Sequence, residues 1–299
     1  MGYGLALAGG GTRGAAHVGV LKALSEAGLL PDAVAGTSAG SVVAGLFASG
    51  MEISEMEKAV RQLAKHGSDY LDPDYPGIME FVPQLLTGRT ISLQGFMKGD
   101  KLLSYFCELT GRKQLDESAV KLVIPAVDLN SGNTVCFTNM EHTGAIRHVV
   151  WSWDAYLCEA MMASSSVPGV FAPRRLGPYL LVDGGVTHNQ PAGLLHGAGV
   201  WPVIAVDIGA GYSAPDDDNV VEVMSHTFSI MGGLLEECNP APEALLLKPE
   251  LPADAGLLTF EKMEACVEAG YQYTRKMIPR IRSTVQASEN RPVPGSDSR

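Results

Sequence analysis

The segment Gly36-Thr37-Ser38-Ala39-Gly40 has the spacing G-x-S-x-G, which sets a serine on a sharp strand-to-helix turn. Glycines stand two places either side of the serine because the backbone at such a bend leaves no room for a Cβ. A serine hydroxyl is a weak nucleophile and requires a base. Among the histidines, His17 lies three residues beyond Gly14 and reads as a packing or supporting residue. His188, His196 and His226 sit in no distinctive loop motif. The better base is Asp183, in Val182-Asp183-Gly184-Gly185, where a strand runs into an aspartate whose two following glycines let the backbone press close to a neighbour. An aspartate with its ordinary pKa of about 3.9 is a poor base at neutral pH. Partial burial beside an apolar acyl pocket raises that value and improves proton transfer. Taken alone, Asp183 would read as a turn aspartate that bonds its own backbone.

The second chemical feature is Gly9-Gly10-Gly11-Thr12-Arg13-Gly14. It satisfies the G-x-G-x-x-G dinucleotide fingerprint, following a strand and opening a helix. A dinucleotide site also wants an acid at the carboxyl end of the second strand. Here that strand ends in Gly36-Thr37-Ser38, and the nearest acid, Asp32, lies at its start. Three side-chain-free residues beside a helix N-terminus can instead aim their N–H groups at an anion, either a phosphate or the oxyanion of an acyl transfer. With the serine turn at the same edge of a parallel sheet, one loop supplies the nucleophile and the other the oxyanion donors.

The elements that must position these turns follow from periodicity. Tyr3–Ala8 reads as a strand, Val18, Leu21 and Leu24 as one face of a helix stopped at Gly28, Asp32–Ala35 as a second strand, and Ser41–Ser49 as a small-residue helix. This alternation predicts a mainly parallel sheet with helices on both faces. Residues 52–66 read as a helix, and 67–99, punctuated by Gly, Pro and Asp, as an excursion from the core. Its apolar run Ile78–Leu86 reads as a small helix covering one end of the sheet, with a lipid-facing lid as the alternative. Strands are expected at Lys121–Asp128, Thr134–Phe137, Tyr179–Val182 and Val203–Ile208, with a further one at Glu243–Leu247. Helices are expected near Trp153–Ala163, at Val220–Glu237 and at Phe260–Ile281. Residues 1–287 are expected to form one domain, and Ser288–Arg299 a disordered tail.

The chain has 299 residues, 46% hydrophobic and 18% charged, enough to bury a substantial core. A net charge of −11, from 22 basic and 33 acidic residues, argues against a nucleic-acid binder and gives no attraction to an anionic membrane. Lipid contact would therefore be apolar and local. The opening residues show no basic region or long apolar run, no stretch approaches a membrane span, and a cytoplasmic protein is expected. Five cysteines, at 107, 136, 158, 238 and 266, are odd in number and lack C-x-x-C spacing, so reduced thiols are expected and no zinc site.

With these motifs in order, the chain resembles the patatin-like phospholipase family. The match comprises the glycine loop with His17, Gly19, Val20 and Leu21 behind it, the serine turn, and Asp183-Gly184-Gly185. It extends to Val127-Asp128-Leu129-Asn130-Ser131-Gly132, to Ala163–Phe171 and to Val203–Gly209, covering roughly residues 4–210. The resemblance implies a three-layer α/β/α fold, no metal or other cofactor, and a Ser-Asp dyad that cleaves esters of phospholipids, lysophospholipids or simpler lipids. By position, Ser38 would be the nucleophile, Asp183 the base, and the N–H groups of Gly10 and Gly11, with Gly9 beside them, the oxyanion hole. Arg13 is a candidate contact for a lipid phosphate, set against an exposed arginine paired with a surface acid. The family has asparagines after its acidic motif where this chain runs Val186-Thr187-His188-Asn189-Gln190-Pro191, and His188 is a candidate to orient substrate. Transient contact with a membrane surface is expected of such an enzyme. The rival expectation is a non-catalytic acyl-binding regulator on the same fold.

Overall fold

The computed structural model describes residues 2–88, 90, 92–141, 143–209, 220–238 and 242–289. Its strands are β1 (Gly4–Leu7), β2 (Ala33–Gly36), β3 (Gly95–Met97), β4 (Lys121–Asp128), β5 (Thr134–Thr138), β6 (Val149–Ser152), β7 (Gly169–Phe171), β8 (Arg174–Leu176), β9 (Tyr179–Asp183), β10 (Val203–Val206) and β11 (Leu245–Leu247). Its helices are α1 (Ala16–Glu26), α2 (Ala39–Ala48), α3 (Ile53–His66), α4 (Tyr75–Thr87), α5 (Asp100–Leu109), α6 (Leu157–Ser164), α7 (Gly185–His188), α8 (Ala192–Gly197), α9 (Val220–Cys238) and α10 (Met263–Glu289).

The central sheet runs β11-β10-β1-β2-β4-β5-β6, with β9 also on β4 and β8 on β9. Successive residues of a strand face opposite ways, and both faces of this sheet are covered. Leu5, Leu7, Val34, Leu122 and Ile124 join one core with Leu21 and Leu24 of α1, Leu46 of α2, Met161 of α6 and Ile281 of α10. Ala6, Ala33, Ala35, Val123 and Ala205 form the other, against Ala192, Leu194 and Leu195 of α8. The small residues on that second face let a six-residue helix sit close. The result is the expected three-layer α/β/α arrangement. Strands β11, β10, β1, β2 and β4 are mutually parallel, whereas β5 and β9 run antiparallel to β4.

The antiparallel part holds the feature that matters most for function. β4 pairs with β2 over Lys121–Val123 and with β9 over Ala126–Asp128. Val123, Ala126 and Val127 all pair with β5 as well, so β2 and β9 both lie on the opposite edge of β4 from β5. Running in opposite senses along one edge, they end head-on, with only Ile124 and Pro125 between. Pro125, which has no N–H to leave unpaired, fills that junction.

At the turn after β4, Asp128 accepts hydrogen bonds from the N–H groups of Asn130, Ser131 and Leu180 and from the Ser131 hydroxyl at 2.7 Å. The block Val127–Gly132 is therefore a turn tied to the start of β9.

Three expectations change. Cys107 of α5 and Cys158 of α6 are disulfide-bonded with Cα atoms 4.9 Å apart, while Cys136, Cys238 and Cys266 are free. Fifty-one positions separate the bridged pair, and only the packing of α5 on α6 brings them together. The apolar run Ile78–Leu86 does form a helix, α4, yet that helix buries none of its described side chains. Tyr75, Met79 and Leu86 are 68%, 77% and 80% exposed, so α4 is not a core cover. Finally, α10 runs on through Ser288, and residues 290–299 of the expected tail lie outside the described residues.

Helices α1 and α10 meet at backbone contact. A Cβ at Gly19 would overlap the Val267 carbonyl oxygen, and one at Gly270 the Ala16 carbonyl oxygen. Gly19→Ala should therefore lower unfolding free energy by about 1–3 kcal/mol, in spite of alanine's helix-propensity advantage of roughly 1 kcal/mol. Urea denaturation checks this, and an unchanged midpoint would contradict the close approach.

Candidate active site

Ser38 stands between β2 and α2 with φ 52° and ψ −124°. A non-glycine residue rarely adopts this conformation, and it persists only where the surroundings enforce it. The enforcement is visible. A Cβ at Gly36 would overlap the carbonyl of Gly40, and one at Gly40 the carbonyl of Leu7. The Thr37 hydroxyl donates to the His188 carbonyl at 2.7 Å, the Ser38 N–H donates to Ser164 Oγ at 3.1 Å, and the Ser41 hydroxyl donates to the Ser38 carbonyl at 2.6 Å. The expected elbow is thus present, held from three sides.

Asp183 ends β9 and is 5% exposed; Ser38 is 8% exposed. Burial pushes the Asp183 carboxyl up to about 6, while the nearby Ser38 hydroxyl and the Gly185 N–H, which donates to Oδ1 at 2.7 Å, favour the charged form and limit the rise. Gly184 is required because a Cβ there would overlap the Pro125 carbonyl. The head-on meeting of β2 and β9 thereby brings two residues 145 positions apart to one place.

The glycine loop lies against the same turn. A Cβ on Gly9 would sit 3.1 Å from Ser38 Cβ and 2.5 Å from Asn189 Oδ1, and one on Gly14 would overlap Ala39 Cβ. The Gly9 N–H already donates to the Asn189 carbonyl at 3.2 Å. Gly9 is therefore removed from the oxyanion candidates. Among the described residues the N–H groups of Gly10 and Gly11 have no acceptor, which leaves these two as the candidate donors.

The other candidates fall elsewhere. His188 has its Nδ1 3.0 Å from Thr187 Oγ1 and 3.2 Å from Thr134 Oγ1, and burial lowers its pKa. Its carbonyl, not its ring, serves the serine turn. Arg13 is neither exposed nor in an ion pair among the described residues. Its Nη2 reaches the Gly209 carbonyl at 3.5 Å, its Nε is buried without a partner, and its titratable neighbours are the Cys266 thiol and Asp207. His17 is fully buried, with Nε2 2.8 Å from the Ala8 carbonyl.

Two supporting residues escaped sequence reasoning. Ser164 belongs to a serine cluster that lacks flanking elbow glycines, and Asn189 acts through its main chain. Only position identifies either. Among the described residues no group of three His, Cys, Asp or Glu could hold a metal ion, and no helix is long and apolar enough to cross a membrane.

The backbone at Ser38 yields a stability test. Glycine tolerates φ 52° where other residues are strained by about 1–3 kcal/mol. Ser38→Gly should thus melt higher than Ser38→Ala in calorimetry, and the reverse order would mean that the turn is relaxed.

Comparison with known proteins agrees with the geometry. A family model described as Patatin-like phospholipase matches residues 5–196. An uncharacterized NTE family protein of Mycobacterium tuberculosis is 27% identical over 91% of this chain and 46% of its own length. Human patatin-like phospholipase domain-containing protein 6 is 31% identical over 69% of this chain and 13% of its own length. The chain thus spans less than half of these relatives. Among solved structures, VipD from Legionella pneumophila aligns with TM-score 0.49 at 15% identity, covering 93% of this chain and 67% of that one. With the family model spanning the glycine loop, the serine turn and the aspartate at the end of β9, this chain belongs to the patatin-like phospholipase family.

Proposed function

We propose that the protein is a serine acyl hydrolase that cleaves carboxylic ester bonds of lipids through a Ser38–Asp183 dyad. The observation that carries the reading is a strained, buried serine beside a buried carboxyl whose pKa is raised to about 6. A base tuned close to the operating pH transfers protons more effectively than an ordinary aspartate.

Ser38 Oγ attacks the ester carbonyl while its proton passes to Asp183. The negative charge on the former carbonyl oxygen is met by the Gly10 and Gly11 N–H groups, beside the N-terminus of α2. Collapse of the tetrahedral intermediate breaks the bond to the alcohol, which leaves with the proton held by Asp183. Water then attacks the acyl-serine and gives its proton to Asp183. The second tetrahedral intermediate releases the fatty acid as Ser38 Oγ recovers that proton. His188 and Arg13 have no part in these steps.

Asp183 must be ionised to act. Turnover of a short p-nitrophenyl ester (kcat/KM) should fall about tenfold per pH unit below pH 6 and level off above it. Ser38→Ala and Asp183→Asn should each abolish turnover. The same desolvation predicts opposite behaviour for stability. A raised carboxyl pKa means that the charged form destabilises the fold, a penalty present above pH 6 and relieved as pH falls towards 4. Asp183→Asn should therefore be more stable than wild type at pH 8, by up to about 3 kcal/mol, and not at pH 4. A pH-independent rate, or label from a fluorophosphonate probe on a serine other than Ser38, would sink the dyad.

The lipid partner enters through apolar contact. Besides Tyr75, Met79 and Leu86 of α4, helix α9 exposes Val223, Met231, Leu234 and Leu235. It passes the site, with the position of a Cβ on Gly232 3.6 Å from Asn189 Cβ. The α4 and α9 segments contain glutamates and no lysine or arginine, which suits an uncharged or zwitterionic lipid surface. Sedimentation with phosphatidylcholine vesicles should carry down the protein, and Met79→Asp with Leu86→Asp should release it. Binding that needs anionic lipid would contradict this mode.

A further inference from the structure

The glycine loop must hold two N–H groups in place with no side chain of its own to limit it, and glycine is the residue least able to hold a conformation unaided. Its downstream end is tied. Thr12 donates its N–H to the Leu257 carbonyl at 3.2 Å and its hydroxyl to the Gly256 carbonyl at 2.7 Å. Gly11, at φ 57°, is so close to Leu257 that a Cβ would lie 2.6 Å from that residue's Cα. The peptide joining Gly10 to Gly11 is held as well, because the Gly10 carbonyl accepts the Arg13 N–H at 3.2 Å.

The upstream end depends on one peptide plane, that between Ala8 and Gly9. Its carbonyl is 2.8 Å from His17 Nε2, and its N–H donates to the Asn189 carbonyl at 3.2 Å. Between these two anchored ends, the peptide joining Gly9 to Gly10 has no partner for its N–H among the described residues. Its orientation is set by the planes on either side.

We propose that His17 is a positioning residue for the oxyanion loop: its Nε2–H and the Asn189 carbonyl clamp the Ala8–Gly9 peptide from both sides and so aim the Gly10 N–H at the reacting carbonyl. A carbonyl oxygen only accepts, so the proton must sit on Nε2, and Nδ1, buried and unpartnered, is left bare. Desolvation lowers the ring's pKa to about 4, against weaker opposing pulls from the Ala8 hydrogen bond and then Asp207, which keeps the imidazole neutral in that tautomer at working pH. His17 never meets substrate. Its effect passes through one peptide plane, where a small misplacement is costly.

The inference rests on the hydrolase reading, and its test separates the two. In wild type, p-nitrophenyl ester turnover and fluorophosphonate label on Ser38 establish the reading. His17→Leu fills the same space without the donor and should lower kcat and the labelling rate by about 10- to 100-fold, with KM changed by less than about threefold. His17→Gln, which carries an N–H at a similar reach, should restore most of the rate. A residue that merely packs would let Leu do as well as Gln. Equal rates in all three proteins would overturn the proposal. If wild type neither turns over esters nor takes the label, the hydrolase reading fails instead. The clamp is then judged in wild type by nitrogen-15 shifts of the His17 ring, as it is if the Leu variant does not fold. A neutral Nε2–H ring unchanged between about pH 5.5 and 8 supports it, and a titrating ring or an Nδ1–H tautomer overturns it.

Discussion

Two strands of opposite sense share one edge of β4 and stop where they meet. Everything at the candidate site depends on that arrangement. A parallel strand delivers its carboxyl end at the top of the sheet. An antiparallel neighbour on the same edge delivers its own carboxyl end from the other direction. The turn after β2 and the last residue of β9 therefore converge without a long loop to carry either of them. A one-residue slip of β9 on β4 would turn Asp183 to the opposite face. The register is held where Ala126 and Val127 are paired on both sides and where the Asp128 turn grips the Leu180 N–H.

Such a site is costly to keep. Ser38 occupies a strained conformation, and Asp183 is desolvated. Both features oppose folding, and both would favour reactivity in the proposed pair. They are offset by the two cores and by backbone contacts that only glycine permits. Gly36, Gly40 and Gly184 stand where a Cβ would strike main-chain oxygen, and Gly14 where it would strike Ala39. Met161 packs where Gly45 leaves room, which seats α6 on α2 and brings the Ser164 hydroxyl to the Ser38 N–H. The support reaches the serine turn through close packing, and a substitution two helices away is expected to be felt there.

The apolar helices α4 and α9 belong to a different balance. Their exposed side chains gain nothing from the core, and α9 lies beside the site it would serve. Apolar surface left in water on α9, beside the site, suits the lipid hydrolase proposed above.

Much was legible in one dimension. G-x-S-x-G, the glycine run and Asp-Gly-Gly carry their meaning locally, because a sharp bend, a close backbone approach and a free N–H each demand particular residues in adjacent positions. Short continuous apolar runs marked β1, β2, β4 and β10, as suits strands covered on both faces. Partners distant in the chain left no such mark. The bridge between Cys107 and Cys158, the loss of Gly9 from the donor set to the Asn189 carbonyl, the turning of His188 towards Thr134 and the half-burial of Arg13 are all set by packing. So is the exposure of α4, whose apolar spacing looks the same whether it meets a core or water. Local sequence determined which residues can do the chemistry, because bond geometry and sterics act between neighbours. The tertiary structure alone decided which of them meet and how far each is desolvated, because register and burial depend on segments far apart in the chain.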